Sequence, residues 1–177
     1  MNLDQIFIVI QIITIVFIVI PTIYAVFWGS PFIPTQKRAI DDILKKIQIK
    51  KGMHVYDLGS GDGRFLTSIS KKVPIHGIGF EYSPPVYLWA CIRNTILRGK
   101  NVRFLYKDYL KHNLNNADII FCFLLPQRMN RVEKKLLKEC KKGTQIICHG
   151  FPMKNLEPRD IIEKTVHVPF STYFYIL

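Results

Sequence analysis

The sequence predicts an α/β domain, a mostly parallel sheet with helices on both faces, behind a single N-terminal transmembrane helix. Three observations carry this. Short apolar runs alternate with helical periodicity from residue 35 to the end, a glycine-rich turn follows the first of those runs, and residues 6–28 carry no charge. A chain of 177 residues has room for one domain of ordinary size and a short extra segment. The expected organisation is an anchor over residues 1–30 and one domain over 31–177.

Within residues 6–28, sixteen side chains are Ile, Val or Phe. Their summed insertion free energy is about −5 to −10 kcal/mol. Gln11, Thr14, Pro21 and Thr22 offset part of that, and the stretch still reaches the length needed to span a bilayer. Asp4 is the sole charge before the run and no small-residue cleavage motif follows it, so the segment is expected to be retained as an anchor. Lys37, Arg38, Lys45, Lys46, Lys50 and Lys51 come after it, which places the domain in the cytoplasm and the N-terminus outside.

Beyond the Ser30–Pro34 linker, Thr35 is the expected cap of a helix reaching about Gln48, with Ile40, Ile43, Leu44 and Ile47 on one face. Strands are expected at 53–58, 75–81, 102–106, 118–125 and 144–149, with helices at 64–72, 85–98 and 128–141 between them. Two last runs, 164–168 and 171–176, are separated by too few residues for a crossover and must pair antiparallel. The alternation implies a parallel sheet covered on both faces.

The net charge of +12, from 25 Lys and Arg against 13 Asp and Glu, gives the domain a field that attracts polyanions or anionic lipid and does not choose between them. Cys91, Cys122, Cys140 and Cys148 lack C-x-x-C spacing and are expected to be reduced and to bind no metal. The five histidines show no ligand or triad spacing.

The chemistry concentrates in VYDLGSGDGRF, residues 55–65, where a strand runs into Asp57, Gly59, Ser60, Gly61 and Gly63 and then into a helix. Glycine permits the tight turn and leaves no Cβ in the way of a ligand lying across the backbone. In open α/β sheets ligands bind beyond the carboxyl ends of the strands, where this turn lies. The G-x-G-x-G spacing departs from the dinucleotide pattern G-x-G-x-x-G, which suits a cofactor without a pyrophosphate. Glu81 closes the second strand, placed to accept from both hydroxyls of a ribose.

This arrangement resembles the class I, seven-stranded S-adenosylmethionine (SAM)-dependent methyltransferases over about residues 35–177. The resemblance implies a Rossmann-like seven-stranded sheet with an antiparallel last strand. It also implies that Asp57, Gly59, Ser60, Gly61 and Gly63 line the methionine end of SAM, that Glu81 binds the ribose, and that Tyr82 and Asp108 lie by the adenine. PFIPT at 31–35, LLPQRM at 124–129 and GFP at 150–152 add a narrower resemblance. It is to the small membrane-associated protein-lysine methyltransferases related to the mitochondrial enzymes that modify the ATP synthase c-subunit and the adenine nucleotide translocase.

The segment after the fourth strand does not read N-P-P-Y or D-P-P-Y, the forms typical of amide and exocyclic-amine acceptors. The resemblance implies a lysine acceptor in a membrane or membrane-adjacent protein, with Pro126, Gln127 and the carbonyls around Leu125 and Pro126 as candidate acceptors of hydrogen bonds from its amine. A helix start is the other reading of Pro126 and Gln127. Asp62 and Arg64 either close over the cofactor or pair with each other. The expected partners are a protein substrate and the bilayer, through residues 6–28, with neither metal nor nucleic acid. An RNA or lipophilic small-molecule methyltransferase and a non-catalytic SAM-binding scaffold are the competing functions.

Overall fold

The computed structural model describes residues 2–20, 33–97, 99 and 101–177. Asn2 opens α1 (Leu3–Thr14) with a reciprocal cap, its Oδ1 accepting from the Gln5 amide at 2.9 Å and Gln5 Oε1 accepting from the Asn2 amide at 3.0 Å. The helix continues into a π-helical stretch, Ile15–Val19, and α1 buries no side chain. Among the described residues no helix is long and apolar enough to cross a membrane. The C-terminal part of the expected span, residues 21–28, lies outside the described residues, as does the start of the linker.

The domain begins with α2 (Lys37–Lys46), followed by β1 (His54–Leu58), α3 (Arg64–Ser70), β2 (His76–Glu81), α4 (Pro84–Ile96), β3 (Val102–Tyr106) and β4 (Ile119–Cys122). It closes with α5 (Pro126–Glu139), β5 (Gln145–His149), β6 (Asp160–Ile162) and β7 (Thr172–Ile176). The strand order is β3-β2-β1-β4-β5-β7-β6. Strands β1 to β5 run parallel, and β7 is antiparallel to both of its neighbours. The seven-stranded Rossmann-like sheet predicted from the sequence is therefore present, and its order reverses between β1 and β4, where such sheets bind ligands.

Alternation along the strands divides the core in two. Val55, Phe121, Ile147 and Phe174 meet α2, α3 and α4 through Ile40, Ile43, Phe65, Leu66, Ile69 and Ala90. Tyr56, Leu58, Ile120, Cys122, Ile146 and Cys148 meet α5 through Met129, Val132 and Leu136. Phe65 stacks on Phe121 with ring centroids 4.0 Å apart, which fixes the first turn of α3 over the middle of the sheet.

Two local expectations are corrected. Thr35 does not cap α2: Gln36 holds that position without a side-chain bond, and Thr35 is buried with its carbonyl accepting from Arg64. The penultimate strand lies at Asp160–Ile162, not at 164–168. Thr165 Oγ1 accepts from the amides of His167 and Val168 at 3.3 and 3.1 Å, and Thr165 and Val168 also pair through their backbones, so the segment folds into a turn. A threonine hydroxyl offers backbone donors an alternative to a strand ladder. The end of α2 moves too: Gln48, the expected last helical residue, is extended chain whose amide and carbonyl pair with the Gln145 side chain.

Gly63 shows how tightly α3 meets the sheet. Its φ is +73°, and a Cβ there would come 2.1 Å from Phe104 Cζ. Gly52 has φ +85° with nothing near a Cβ. In chemical denaturation Gly52→Ala is expected to cost about 1 kcal/mol, the left-handed backbone alone. Gly63→Ala adds overpacking and is expected to cost about 2 to 4 kcal/mol. Equal losses would mean that the Phe104 contact is slack.

Candidate active site

The turn after β1 is held from both sides. The amides of Gly59 and Ser60 both donate to the Phe80 carbonyl at the end of β2, at 2.9 and 2.8 Å. Gly59 has φ +86°, and a Cβ on it would meet Leu124 Cδ2, beyond β4, at 2.9 Å. The turn thus rests between the carboxyl ends of β2 and β4, and at position 59 there is no room for a Cβ.

Three carboxylates surround it, each treated differently. Glu81 accepts from the Gly61 amide through Oε2 at 3.0 Å, and from the amides of Tyr82 and Ser83 through Oε1 at 2.9 and 2.8 Å. Burial raises its pKa, and those three amides oppose the rise. Asp62, with a side chain 4% exposed, is gripped by Arg64 Nε at 2.9 and 3.1 Å and Nη2 at 2.8 Å, while Arg93 Nε stands 3.7 Å away. Arg64 Nη1 also donates to the Thr35 carbonyl at 3.1 Å, and Arg93 Nη1 to the Asp62 carbonyl at 3.3 Å. Of the two sequence readings of Asp62 and Arg64, the mutual pair is the one present.

Asp57 has no such compensation. It is 2% exposed, and its Oδ1 has no hydrogen-bond partner. Burial first, and then the charges on Glu81 and Asp62, push its carboxyl well above the usual carboxylate range. Ser60 Oγ beside the turn is also buried without a partner. An unsatisfied buried polar group costs about 1 to 3 kcal/mol, so this corner favours any ligand that brings a donor, and a cationic donor most.

Tyr82, 51% exposed, stacks on Tyr106 with centroids 5.5 Å apart and planes 8° from parallel, a flat aromatic surface beside Glu81. Asp108 accepts from the Leu110 amide at 2.9 Å and caps the short 3₁₀ turn Tyr109–Lys111, so its carboxylate has a local structural task. Pro126 and Gln127 open α5 as exposed first-turn residues. The Leu125 carbonyl already accepts from the amides of Arg128 and Met129, at 2.9 and 3.3 Å.

Sequence reasoning passed over one group. At the ends of β4 and β5, Phe123 lies edge-on to His149 at 4.7 Å and to Phe170 at 5.1 Å. His149 is 3% exposed, its Nδ1 lies 2.8 Å from Thr172 Oγ1, and burial lowers its pKa to about 4, so it is neutral at physiological pH. The strand-end rule that picks out Asp57 and Glu81 also picks out His149.

Residues 57–160 match the family described as the ANTKMT methyltransferase domain. The chain belongs to that family. A protein-lysine N-methyltransferase of Saccharolobus islandicus is 24% identical over 151 residues, covering 83% of this chain and 93% of that protein. The human ATP synthase c-subunit lysine N-methyltransferase is 28% identical over 130 residues, 72% of this chain and 54% of the human enzyme. The chain thus spans about half the length of that enzyme. An RNA methyltransferase of Salinibacter ruber, crystallised with S-adenosylhomocysteine, shares the fold with a TM-score of 0.76 and 23% identity over 81% of this methyltransferase and 93% of its own chain.

The raised pKa of Asp57 has a definite sign for stability. The folded state binds a proton that the unfolded chain releases near pH 4, so stability is highest below about pH 4 and falls as pH rises through the elevated folded value. Asp57→Asn cannot ionise. It is expected to raise the thermal midpoint of the ligand-free protein at neutral pH, with the gain shrinking as pH approaches 4. A lower midpoint at neutral pH would show that the charge is compensated.

Proposed function

We propose that this methyltransferase uses SAM to methylate a lysine of a membrane or membrane-adjacent protein. The observation that carries the cofactor reading is the orphaned pair Asp57 Oδ1 and Ser60 Oγ at the glycine-rich turn, with Glu81 alongside. SAM suits that corner: its methionine end has an ammonium for Asp57, its ribose has two hydroxyls for the remaining lone pairs of Glu81, and its adenine has a flat face for Tyr82 and Tyr106. Bound, it supplies an electrophilic methyl group.

The chain's own residues have to position the acceptor and keep water away. A lysine amine must lose its proton before it attacks, and near pH 7.4 that costs about 4 kcal/mol. Phe123, Phe170 and the neutral His149 form an aromatic wall beyond β4 and β5, and an apolar surrounding lowers a lysine pKa. The lysine acceptor is supported by the activity for which the Saccharolobus and human relatives are named. The membrane setting is supported by the uncharged run at 6–28, proposed as the anchor of a domain that faces the cytoplasm, with residues 31–177 forming the methyltransferase domain.

Radiolabelled SAM incubated with the protein and membrane fractions is expected to label protein, with the label recovered on lysine after hydrolysis; label confined to RNA or lipid would refute this. Glu81→Gln loses the charge and turns one of the two accepting oxygens into an NH2 donor. Calorimetric titration is expected to show SAM affinity reduced tenfold or more, about the 1.5 to 3 kcal/mol of a hydrogen bond to a charged group.

A further inference from the structure

Helix α4 buries one residue, Ala90, in thirteen. A helix covering one face of a sheet normally presents its apolar stripe to the core. Here Leu88, Trp89, Ile92 and Ile96, spaced to share one side of the helix, are 58%, 53%, 52% and 69% exposed. On the opposite side of the helix Tyr87 packs toward the core and lies against Tyr106 at 5.8 Å, and Tyr106 stacks on Tyr82. A run of exposed Trp, Leu and Ile along one helix face marks an interaction site.

The charge of the surrounding chain says which kind. Between Glu81 and Asp118 there is one acid, Asp108, against Arg98, Lys100, Arg103, Lys107 and Lys111, with Arg93 already paired to Asp62. Arg103 and Lys107, on and just after the edge strand β3, are exposed. Apolar and aromatic side chains set among cations, with almost no acid, fit the headgroup region of an anionic bilayer, where Trp and Tyr rings concentrate and basic residues meet lipid phosphate. The same chain exposes a second apolar surface, α1, none of whose residues is buried.

We infer that the exposed face of α4 is a bilayer-docking surface that sets the domain against the headgroups of an anionic membrane. This rests on the membrane reading of the N-terminal run and goes beyond it, because an anchor alone leaves the domain free to face any direction. Helix α4 starts three residues after Glu81. Docking it sets the Glu81 end of the site beside the interface and so fixes which way the domain faces.

The full chain carries two tryptophans, so Trp28→Phe leaves Trp89 as sole reporter. It would be added to vesicles of phosphatidylcholine, with and without phosphatidylserine, containing phospholipids brominated near the headgroup. The expected result with phosphatidylserine is co-flotation, blue-shifted Trp89 emission and loss of most of that emission to the brominated lipid. Leu88→Glu combined with Ile92→Glu is expected to restore the emission while the anchored chain still floats and binds S-adenosylhomocysteine with unchanged affinity. Co-flotation with Trp89 open to aqueous acrylamide and untouched by the lipid quencher would overturn the docking and leave the anchor standing. Failure to float would overturn both. Trp89 shielded from both quenchers in a particle of doubled mass would assign the surface to a second copy and also overturn the docking.

Discussion

The burial of the Asp57 carboxyl, with Glu81 and Asp62 close by, is the constraint on which the rest of the site depends. Each is buried or nearly so at the carboxyl end of the sheet, and the glycine turn between them sets their separation. Asp62 is neutralised by two arginines, and Glu81 is supported by three backbone amides. Asp57 receives neither form of help and keeps a bare oxygen. Folding leaves one carboxyl uncompensated, and the cofactor site proposed above rests on that oxygen.

The fold serves that constraint. Parallel strands bring the ends of β1, β2 and β4 to one edge, and the Phe80 carbonyl pins the turn to β2 through two amides. Phe104 occupies the space beside Gly63 and Gly79 that any Cβ would need, so α3 approaches the sheet closely and its first turn follows the loop without slack. Arg64 carries the order outward to Thr35 and Arg93 carries it to α4, tying the turn to the segments that frame its mouth.

What could be read in the sequence was what is encoded locally. Asp57, the three glycines and the acid at the next strand end lie within one β-turn-α-β unit, where a short string of residue types fixes both backbone and chemistry. Gly63 took a packing task against Phe104 that spacing alone could not show, since Phe104 is 41 residues further on. The Phe123, His149 and Phe170 group escaped for the same reason: three elements far apart in the chain bring it together. The short edge strand β6 pairs only with β7, and the three residues Asp160–Ile162 have no apolar alternation to reveal it, while the neighbouring run 164–168, with β-branched Thr165, Val166 and Val168, imitated a strand and formed a turn. Asp108 was visible as an acid after a strand, but an acid that caps and an acid that binds look alike in one dimension.

The most direct measurement is a crystal structure of the chain with S-adenosylhomocysteine. The expected result is the ligand's ammonium within hydrogen-bonding distance of Asp57 Oδ1 and its ribose hydroxyls on Glu81, with the glycine turn unmoved. A ligand bound elsewhere, with Asp57 still unpartnered, would contradict the assignment of the turn as the cofactor site.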